Sequence, residues 1–88
     1  SNLQLVLMTL LPGQEIGKEI HKNVDQFFRI ESGKGQIIIN NDSYIVGKGA
    51  AIVVPKNTIH NIINIGNKPL RLYTIYSPPQ HKNGTIVR

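Results

Sequence analysis

Turn-forming residues recur every several positions along this chain, and their spacing constrains the fold more than any other feature. Between the turns lie short runs rich in Ile, Val and Leu, and no stretch shows the 3.6-residue period of an amphipathic helix. The turns stand at residues 12–13, 32–35, 40–42, 47–49, 55 and 66–69. Short strands separated by regular turn signals predict an all-β protein, built as an antiparallel barrel or sandwich.

The apolar runs give the predicted strands their boundaries. These strands cover residues 3–11, 26–30, 36–39, 44–46, 51–54, 60–65 and 70–76. The first run is long and mainly apolar, which predicts a buried strand. The second alternates, so Gln26, Phe28 and Ile30 should share one face. Residues 13–24 are polar and predict a loop, and Pro78-Pro79 should lead the tail out of the sheet.

The length of the chain predicts both its domain count and its assembly. Its 88 residues form one domain, residues 1–88, with native terminal residues expected to be missing. A domain of this size buries only roughly 60% of its unfolded surface. Residues 3–11 are also too apolar for the surface of a monomer, so we expect a homodimer.

The charge and the absence of Cys narrow the classes of partner. The net charge is +5, but Lys and Arg are scattered without a basic run, so we expect no nucleic-acid partner. The apolar stretches are far shorter than the ~20 residues that span a bilayer, and no signal-peptide pattern opens the chain. The chain has no Cys, which excludes disulfides and thiolate metal ligands. We therefore expect a cytoplasmic protein with no membrane partner.

Four side chains with lone pairs suggest a metal site inside the barrel. Glu19 and His21 are two residues apart, so in a locally extended segment both point to one face. Gln26 begins the next strand, and His60 begins a much later one. For the four to converge, the His60 strand must neighbour the Gln26 strand. Imidazole, carboxylate and amide groups would together make a hard or borderline site.

Each of these residues also has an ordinary structural interpretation. A single His in a β-strand is more often a satisfied polar residue than a ligand. Glu19 alone is typical of a solvated loop charge, and Gln26 alone of a hydrogen-bonded strand residue. The metal hypothesis therefore rests on the combined spacing of the two blocks.

Both blocks resemble the two motifs of the cupin family. The first reads Gly-x5-(His)-x-His-x4-(Glu)-x6-Gly from Gly13 to Gly33, with Glu19 and Gln26 in the bracketed positions. The second reads Gly-x5-Pro-x-Gly-x2-His-x3-Asn from Gly49 to Asn64, with Asn57 in place of the Gly. The segment from Tyr76 through Pro78-Pro79 and His81 to Gly84-Thr85 is similar to the phosphomannose isomerase-like subgroup. The resemblance covers nearly the whole chain.

The resemblance implies a double-stranded β-helix, which is a cupin-type jelly-roll barrel, with a divalent metal. The metal positions are occupied here by Glu19, His21, Gln26 and His60. Two neutral imidazoles, one amide and one carboxylate sum to the −1 charge of the usual three-imidazole, one-carboxylate set. An amide oxygen is the weaker donor, so we expect a harder and weaker site that accepts Zn, Mn, Fe or Ni. Asn57 tolerates the positive φ of the replaced Gly.

The remaining marked residues predict structural roles. Gly33, Gly49 and Pro55 should shape turns, and Asn64 should bond backbone across a turn. The aromatic residues should belong to the core or an interface rather than a cofactor box; they are Phe27, Phe28, Tyr73 and Tyr76. Tyr44 and Arg29 are candidates for the mouth of a pocket, although surface positions are expected. His81 should be structural or solvated.

Cupins include isomerases, epimerases, dioxygenases and non-enzymatic binding proteins, so the resemblance leaves the function open. No nucleophile elbow or phosphate loop is visible, and any chemistry would fall mainly to the metal. The first hypothesis is isomerase/epimerase-like or dioxygenase-like action on a small oxygen-bearing molecule. The alternative is a non-catalytic module that binds or senses a small ligand. A purely structural protein with a vestigial site is the third class.

Overall fold

The computed structural model describes residues 4–20, 22 and 24–77, and this part of the chain forms seven β-strands and no helix. The strands are β1 (Gln4–Leu10), β2 (Asp25–Ser32), β3 (Lys34–Ile39), β4 (Asp42–Gly47), β5 (Ala51–Val54), β6 (His60–Asn64) and β7 (Leu70–Ser77). Each predicted strand is present, with ends that differ by two residues or fewer. No helix in the described residues is long and apolar enough to cross a membrane.

The strands form two antiparallel sheets. One has the order β1-β7-β2-β5 and the other the order β4-β3-β6. In the larger sheet, Phe27 of β2 lies opposite Ile75 of β7 on one side and Val53 of β5 on the other. Neighbouring strands in space are often distant in sequence, so the sheets interleave segments from the whole chain.

Buried side chains from both sheets make one core. The larger sheet contributes Phe28 and Ile30 from β2, and both are fully buried. The smaller sheet contributes Ile37 and Ile62. The predicted alternation in β2 is confirmed, because Gln26, Phe28 and Ile30 all point inward while the residues between them do not. The inward side chains of the two sheets thus share a single interior.

Turn residues adopt the backbone conformations that the sequence indicated. Asn57 has a φ of 65° and Asn40 a φ of 54°. Gly33 has a φ of +95°, and a Cβ there would lie 2.6 Å from the Pro69 carbonyl oxygen. Both the positive φ and the close approach of the Pro69 carbonyl therefore exclude a larger residue at Gly33. Asn64 donates from Nδ2 to the Leu10 and Lys68 carbonyls, which confirms its backbone-bonding role.

The prediction of a buried first strand is wrong in part. β1 is the edge strand of the larger sheet, and only Leu10 is fully buried. Leu5 is 60% exposed and Leu7 77% exposed. From Leu5 to Met8 every residue is apolar, so this part of the sequence has no alternation that separates an inward face from an outward one.

Candidate functional site

Glu19 and His60 are brought together by backbone pairing. The segment before β2 runs antiparallel to β6, and the Glu19 and His60 backbones exchange two hydrogen bonds of 2.9 Å. Residues directly opposite in an antiparallel pair place their side chains on the same face. The Glu19 Oε1 atom accordingly lies 3.5 Å from His60 Nε2.

A bulge in this segment sets the alignment of Glu19 with His60. Glu15 pairs with Ile63 and Glu19 with His60, so four steps along one strand match three along the other. The additional residue falls near Gly17, whose φ of +93° suits a β-bulge. The Gly17 N–H donates to Asn61 Oδ1 at 2.9 Å. Asn61 thus holds the bulge that positions Glu19.

The oxygen and the nitrogen of the Asn61 side-chain amide both form hydrogen bonds. Its Nδ2 group donates to Glu15 Oε1 at 2.6 Å, while Oδ1 accepts from Gly17. Asn61 is 5% exposed, and both bonds are part-buried. Sequence reasoning missed this residue because it lies between His60 and Asn64 of the second motif, at a position that the motif leaves open.

His60 is buried and has a defined tautomer. It is 1% exposed, its ring packs 5.8 Å from the Phe28 ring, and Nδ1 lies 3.2 Å from the Thr58 carbonyl oxygen. A carbonyl oxygen only accepts, so Nδ1 must carry the hydrogen. The Nε2 atom is the one directed toward Glu19, and in the neutral ring it presents a lone pair.

Gln26 contributes an amide oxygen to the interior. The side chain is 2% exposed, and Nε2 donates to Thr74 Oγ1 at 2.9 Å. The buried Oε1 atom has no hydrogen-bond partner within the described part of the chain. Burying an amide oxygen without a donor is costly, and such an atom in a native structure calls for a donor or a cation.

Tyr76 lies near the Gln26 amide and the Glu19 carboxylate. Burial and then the negative charge of Glu19 raise the pKa of Tyr76 above its ordinary value. A hydrogen bond from the Gln26 side chain opposes this by lowering the pKa, as an amide N–H donor does. The Tyr76 hydroxyl is therefore protonated at neutral pH and serves as a polar group near Gln26 and Glu19.

The expected route to convergence is wrong, although Gln26 and His60 are both buried. Gln26 lies on β2 and His60 on β6, and these strands belong to different sheets rather than being neighbours. The two strands face each other across the space between the sheets, as the contact of Phe28 with His60 shows. Pairing between sheets depends on packing that no local pattern in the sequence encodes.

Of the other predicted residues, two are outside the described part of the chain and two are exposed on strands. His21 and His81 fall outside the described residues. Arg29 is exposed on the outward side of β2, and Tyr44 is 52% exposed on β4. Arg29 therefore does not line the interior, and it cannot serve there as a cationic group for a phosphate.

The described donors suit a divalent metal only as part of a larger set. Within the described residues no group of three or more His, Cys, Asp or Glu side chains forms a metal site. Glu19 and His60 supply two of these donors and Gln26 an amide oxygen. The His60 Nδ1–H group bonded to a carbonyl is the arrangement that orients metal-binding histidines. The chemistry of the donors fits a metal that His21 would also bind.

Comparison with known proteins identifies the family. The cupin-domain family model matches residues 6–76. The chain therefore belongs to the cupin family, and its two facing sheets are the double-stranded β-helix of that family. This confirms the fold that the two sequence motifs implied.

Particular relatives agree with this assignment. The chain is 50% identical over 91 residues to the uncharacterized protein YrkC of Bacillus subtilis, an alignment covering 97% of this chain and 49% of YrkC. The structure of BH2720 from Bacillus halodurans has a TM-score of 0.86 at 43% identity, covering 96% of this chain and 68% of that one. Mannose-1-phosphate guanylyltransferase RfbM of Salmonella typhimurium is 27% identical over 81 residues, 92% of this chain and 17% of RfbM. The chain spans about half the length of the first curated relatives that it matches.

Proposed function

We propose that this cupin domain binds one divalent metal through Glu19, His21, Gln26 and His60, and acts on a small oxygen-bearing molecule beside it. The observation that carries the proposal is the pair formed by His60 Nε2 and Glu19 Oε1, which lie 3.5 Å apart with His60 buried and the Glu19 side chain 38% exposed. Zn, Mn, Fe and Ni are all compatible with mixed nitrogen and oxygen donors.

The electrostatics of this pair favour a cation. With Nδ1 donating to Thr58, the neutral ring directs the Nε2 lone pair toward a carboxylate oxygen. Two electron-rich atoms at this distance repel each other unless a proton or a metal ion is shared between them. The buried Gln26 Oε1 atom, which has no hydrogen-bond partner within the described residues, supports the metal, because a cation would satisfy this oxygen as well.

The polar groups around the donors define what the site can bind. A bound metal would supply Lewis acidity toward an oxygen of the ligand. Tyr76 keeps its proton at neutral pH and can donate a hydrogen bond to a second ligand oxygen. Thr74 holds the Gln26 amide in one orientation through the 2.9 Å bond, so the amide oxygen stays directed into the interior.

Two reaction classes suit such a site: isomerase/epimerase-like and dioxygenase-like chemistry. The similarity to RfbM, a mannose-1-phosphate guanylyltransferase, supports the sugar-related class and the phosphomannose isomerase-like subgroup. The exposed position of Arg29 removes the cation that a sugar phosphate would need. We therefore propose a small oxygen-bearing molecule without assigning it a phosphate.

A non-catalytic binding or sensing module is the second candidate. Within the described part of the interior, the titratable side chains near the donors are Glu19, His60 and Tyr76, and the first two are themselves proposed ligands. A site with so few groups able to move a proton favours binding without turnover. A turnover screen of the metal-loaded protein against sugars and against dioxygen-dependent substrates separates the two candidates.

Equilibrium metal titration of protein purified without a His tag tests the metal site. We expect the parent to bind one metal per chain and His60→Ala to lose stoichiometric binding, because His60 is the nitrogen ligand of the second motif. His81→Ala is the matched control, since it removes the same side chain and should retain binding. Equal binding by His60→Ala, His21→Ala and the parent would show that the site assignment is wrong.

Position 26 provides a graded test of the ligand set. Gln26→Glu should tighten metal binding, because it adds a charged oxygen where the family pattern has a carboxylate. Gln26→Ala should weaken binding less than His21→Ala, since water can replace an amide oxygen. The measurement is the dissociation constant of each variant for the same metal. A weaker Gln26→Glu site would contradict a role for Gln26 as a ligand.

A further inference from the structure

The loop that leads into His60 is held at its start by the side chain of Asp25. Residues 55–59 form this loop, which joins β5 to β6. The ladder between β2 and β5 stops before Pro55, a residue without an N–H group to donate. The next N–H group, that of Lys56, donates to Asp25 Oδ1 at 3.0 Å. A carboxylate at the first residue of β2 thus accepts from the backbone donor that follows the proline.

The far end of the β5–β6 loop is held by a backbone hydrogen bond. The Ile59 carbonyl oxygen accepts from the N–H group of Asn40, in the turn between β3 and β4, at 2.7 Å. Within the loop, Asn57 has a φ of 65°, and the Thr58 hydroxyl lies 3.4 Å from the Lys56 carbonyl oxygen. This internal bond is long and therefore weak. The shape of the first half of the loop thus depends on the bond at its start.

The Thr58 carbonyl oxygen influences the tautomer of the His60 ring. It lies 3.2 Å from Nδ1, while Glu19 Oε1 lies 3.5 Å from the other ring nitrogen, Nε2. A neutral imidazole carries one N–H hydrogen, so the two acceptors compete for it. The Glu19 side chain is 38% exposed and can accept from water instead, whereas Thr58 and His60 are buried. The position of the Thr58 carbonyl therefore determines which ring nitrogen carries the hydrogen.

Asp25 connects this loop to the strand that carries Gln26. The two residues are adjacent on β2, and side chains of adjacent strand residues point to opposite faces. Gln26 is buried, while Asp25 bonds the loop that precedes His60. Because β2 and β6 belong to different sheets, this bond helps to set the position of one relative to the other. A shift of the loop would move the His60 ring relative to Gln26.

We infer that Asp25 is a positioning residue for His60. By accepting from the Lys56 N–H group, it holds the Thr58 carbonyl oxygen at Nδ1, and this keeps the ring hydrogen off Nε2. Nε2 is the atom that binds the metal in the proposed function, and the inference rests on that function for its effect on metal binding. The position of the ring hydrogen is a property of the chain without metal, so it can be measured separately.

Long-range proton–nitrogen NMR of the His60 ring, recorded on metal-free protein, tests the position of the hydrogen. At about pH 9 a histidine ring is neutral, and the parent should carry the hydrogen on Nδ1. Asp25→Ala should bring the chemical shifts of the two ring nitrogens closer together, because the second tautomer becomes populated. The Asp25 bond is exposed, so this variant should fold. Asp42→Ala is the matched control, since Asp42 is also exposed and also begins a strand.

Asp25→Asn separates the effect of the hydrogen bond from that of the charge. Its amide oxygen can accept from the same Lys56 N–H group, so the ring shifts should match those of the parent although the charge is lost. Parental shifts in a folded Asp25→Ala variant would overturn the inference. It would also be overturned by a parent that carries the hydrogen on Nε2, or by an Asp25→Asn variant whose shifts resemble those of Asp25→Ala.

The dissociation constant for Zn²⁺ provides the second readout. Asp25→Ala should bind about tenfold more weakly, the lower end of the range for residues that orient a metal ligand. Asp25→Asn and Asp42→Ala should bind nearly as the parent does. Equal affinity of Asp25→Ala and the parent would overturn the positioning role and leave the proposed function intact. A parent that binds no metal would overturn the proposed function, and the NMR comparison would then support or overturn the inference alone.

Discussion

Each side of β2 departs at one position from the usual distribution of polarity. Toward the interior the strand directs the amide of Gln26, next to Phe28, and toward the outside it directs the ring of Phe27. β7 repeats the pattern, with Thr74 fully buried and Ile75 facing outward. A sheet selected only for monomer stability would place these groups the other way round. Gln26 and Thr74 inside, and Phe27 and Ile75 outside, are thus positions that the stability of the monomer alone does not explain.

The largest expected effect is on the stability of the fold, to which the inward side of β2 should contribute more than the outward side. Phe28→Ala should lower the free energy of unfolding by about 3–5 kcal/mol, because Phe28 is fully buried in the core and leaves a cavity. Phe27→Ala, the adjacent control on the outward side, should cost less than half as much. Chemical denaturation at one fixed protein concentration measures both. Equal losses would mean that Phe27 belongs to the core of the monomer.

The polar interior should be replaceable at no cost to the fold. Gln26→Leu combined with Thr74→Val removes both partners of the buried bond and should raise the unfolding free energy by about 1–2 kcal/mol. Metal binding should be weakened in the same variant. Thr74→Val alone should destabilise, because Gln26 Nε2 then loses its acceptor. If the double variant is less stable than Thr74→Val, the amide serves the fold rather than a ligand.

Asn61 should connect the fold to the site. Asn61→Ala removes the bonds to Gly17 and Glu15, and we expect a loss of about 1–2 kcal/mol in unfolding free energy. Because the bulge then relaxes, metal affinity should also fall even though Asn61 donates no ligand. Asn41→Ala, an exposed turn position, is the control for both measurements. Unchanged metal affinity in a destabilised Asn61→Ala variant would restrict Asn61 to a structural role.

The smallest effect belongs to the outward side. Val53→Thr keeps the shape of the side chain and changes only its polarity. Val53 is 63% exposed, so the unfolding free energy of the monomer should change by less than about 0.5 kcal/mol. Thermal unfolding measures this. A larger loss would show that Val53 packs against other residues of this chain.

Local patterns predicted most of the fold. The alternation around Phe28 and the turn chemistry of Asn57 are local properties, and both are confirmed. The positions of Leu5 and Leu7 were not predictable in this way, because the run around them is mainly apolar on both faces. Which side of such a strand is covered depends on the neighbouring strand, and that neighbour is β7, far along the chain.

The candidate site was predictable in its residues but not in its geometry. Motif spacing identified Glu19, Gln26 and His60, and the structure brings Glu19 and His60 into contact. The meeting of β2 and β6 across the interior was not predictable, because it depends on how two sheets pack. Thr74 was missed although a signal existed: it follows Leu70 and Leu72 at the two-residue spacing of inward positions.

The bulge at Gly17 determines the sign of the charge beside His60. In an unbroken ladder that continued from the Glu15–Ile63 pair, the residue opposite His60 would be Lys18. The additional residue moves Glu19 into that position instead. If the bulge were lost with no change of sequence, the ammonium group of Lys18 would lie where the carboxylate now lies. Deleting one residue between Glu15 and Glu19 would remove the bulge and still leave Glu19 opposite His60. The chemical character of the interior thus depends on the bulge as much as on the identity of any side chain.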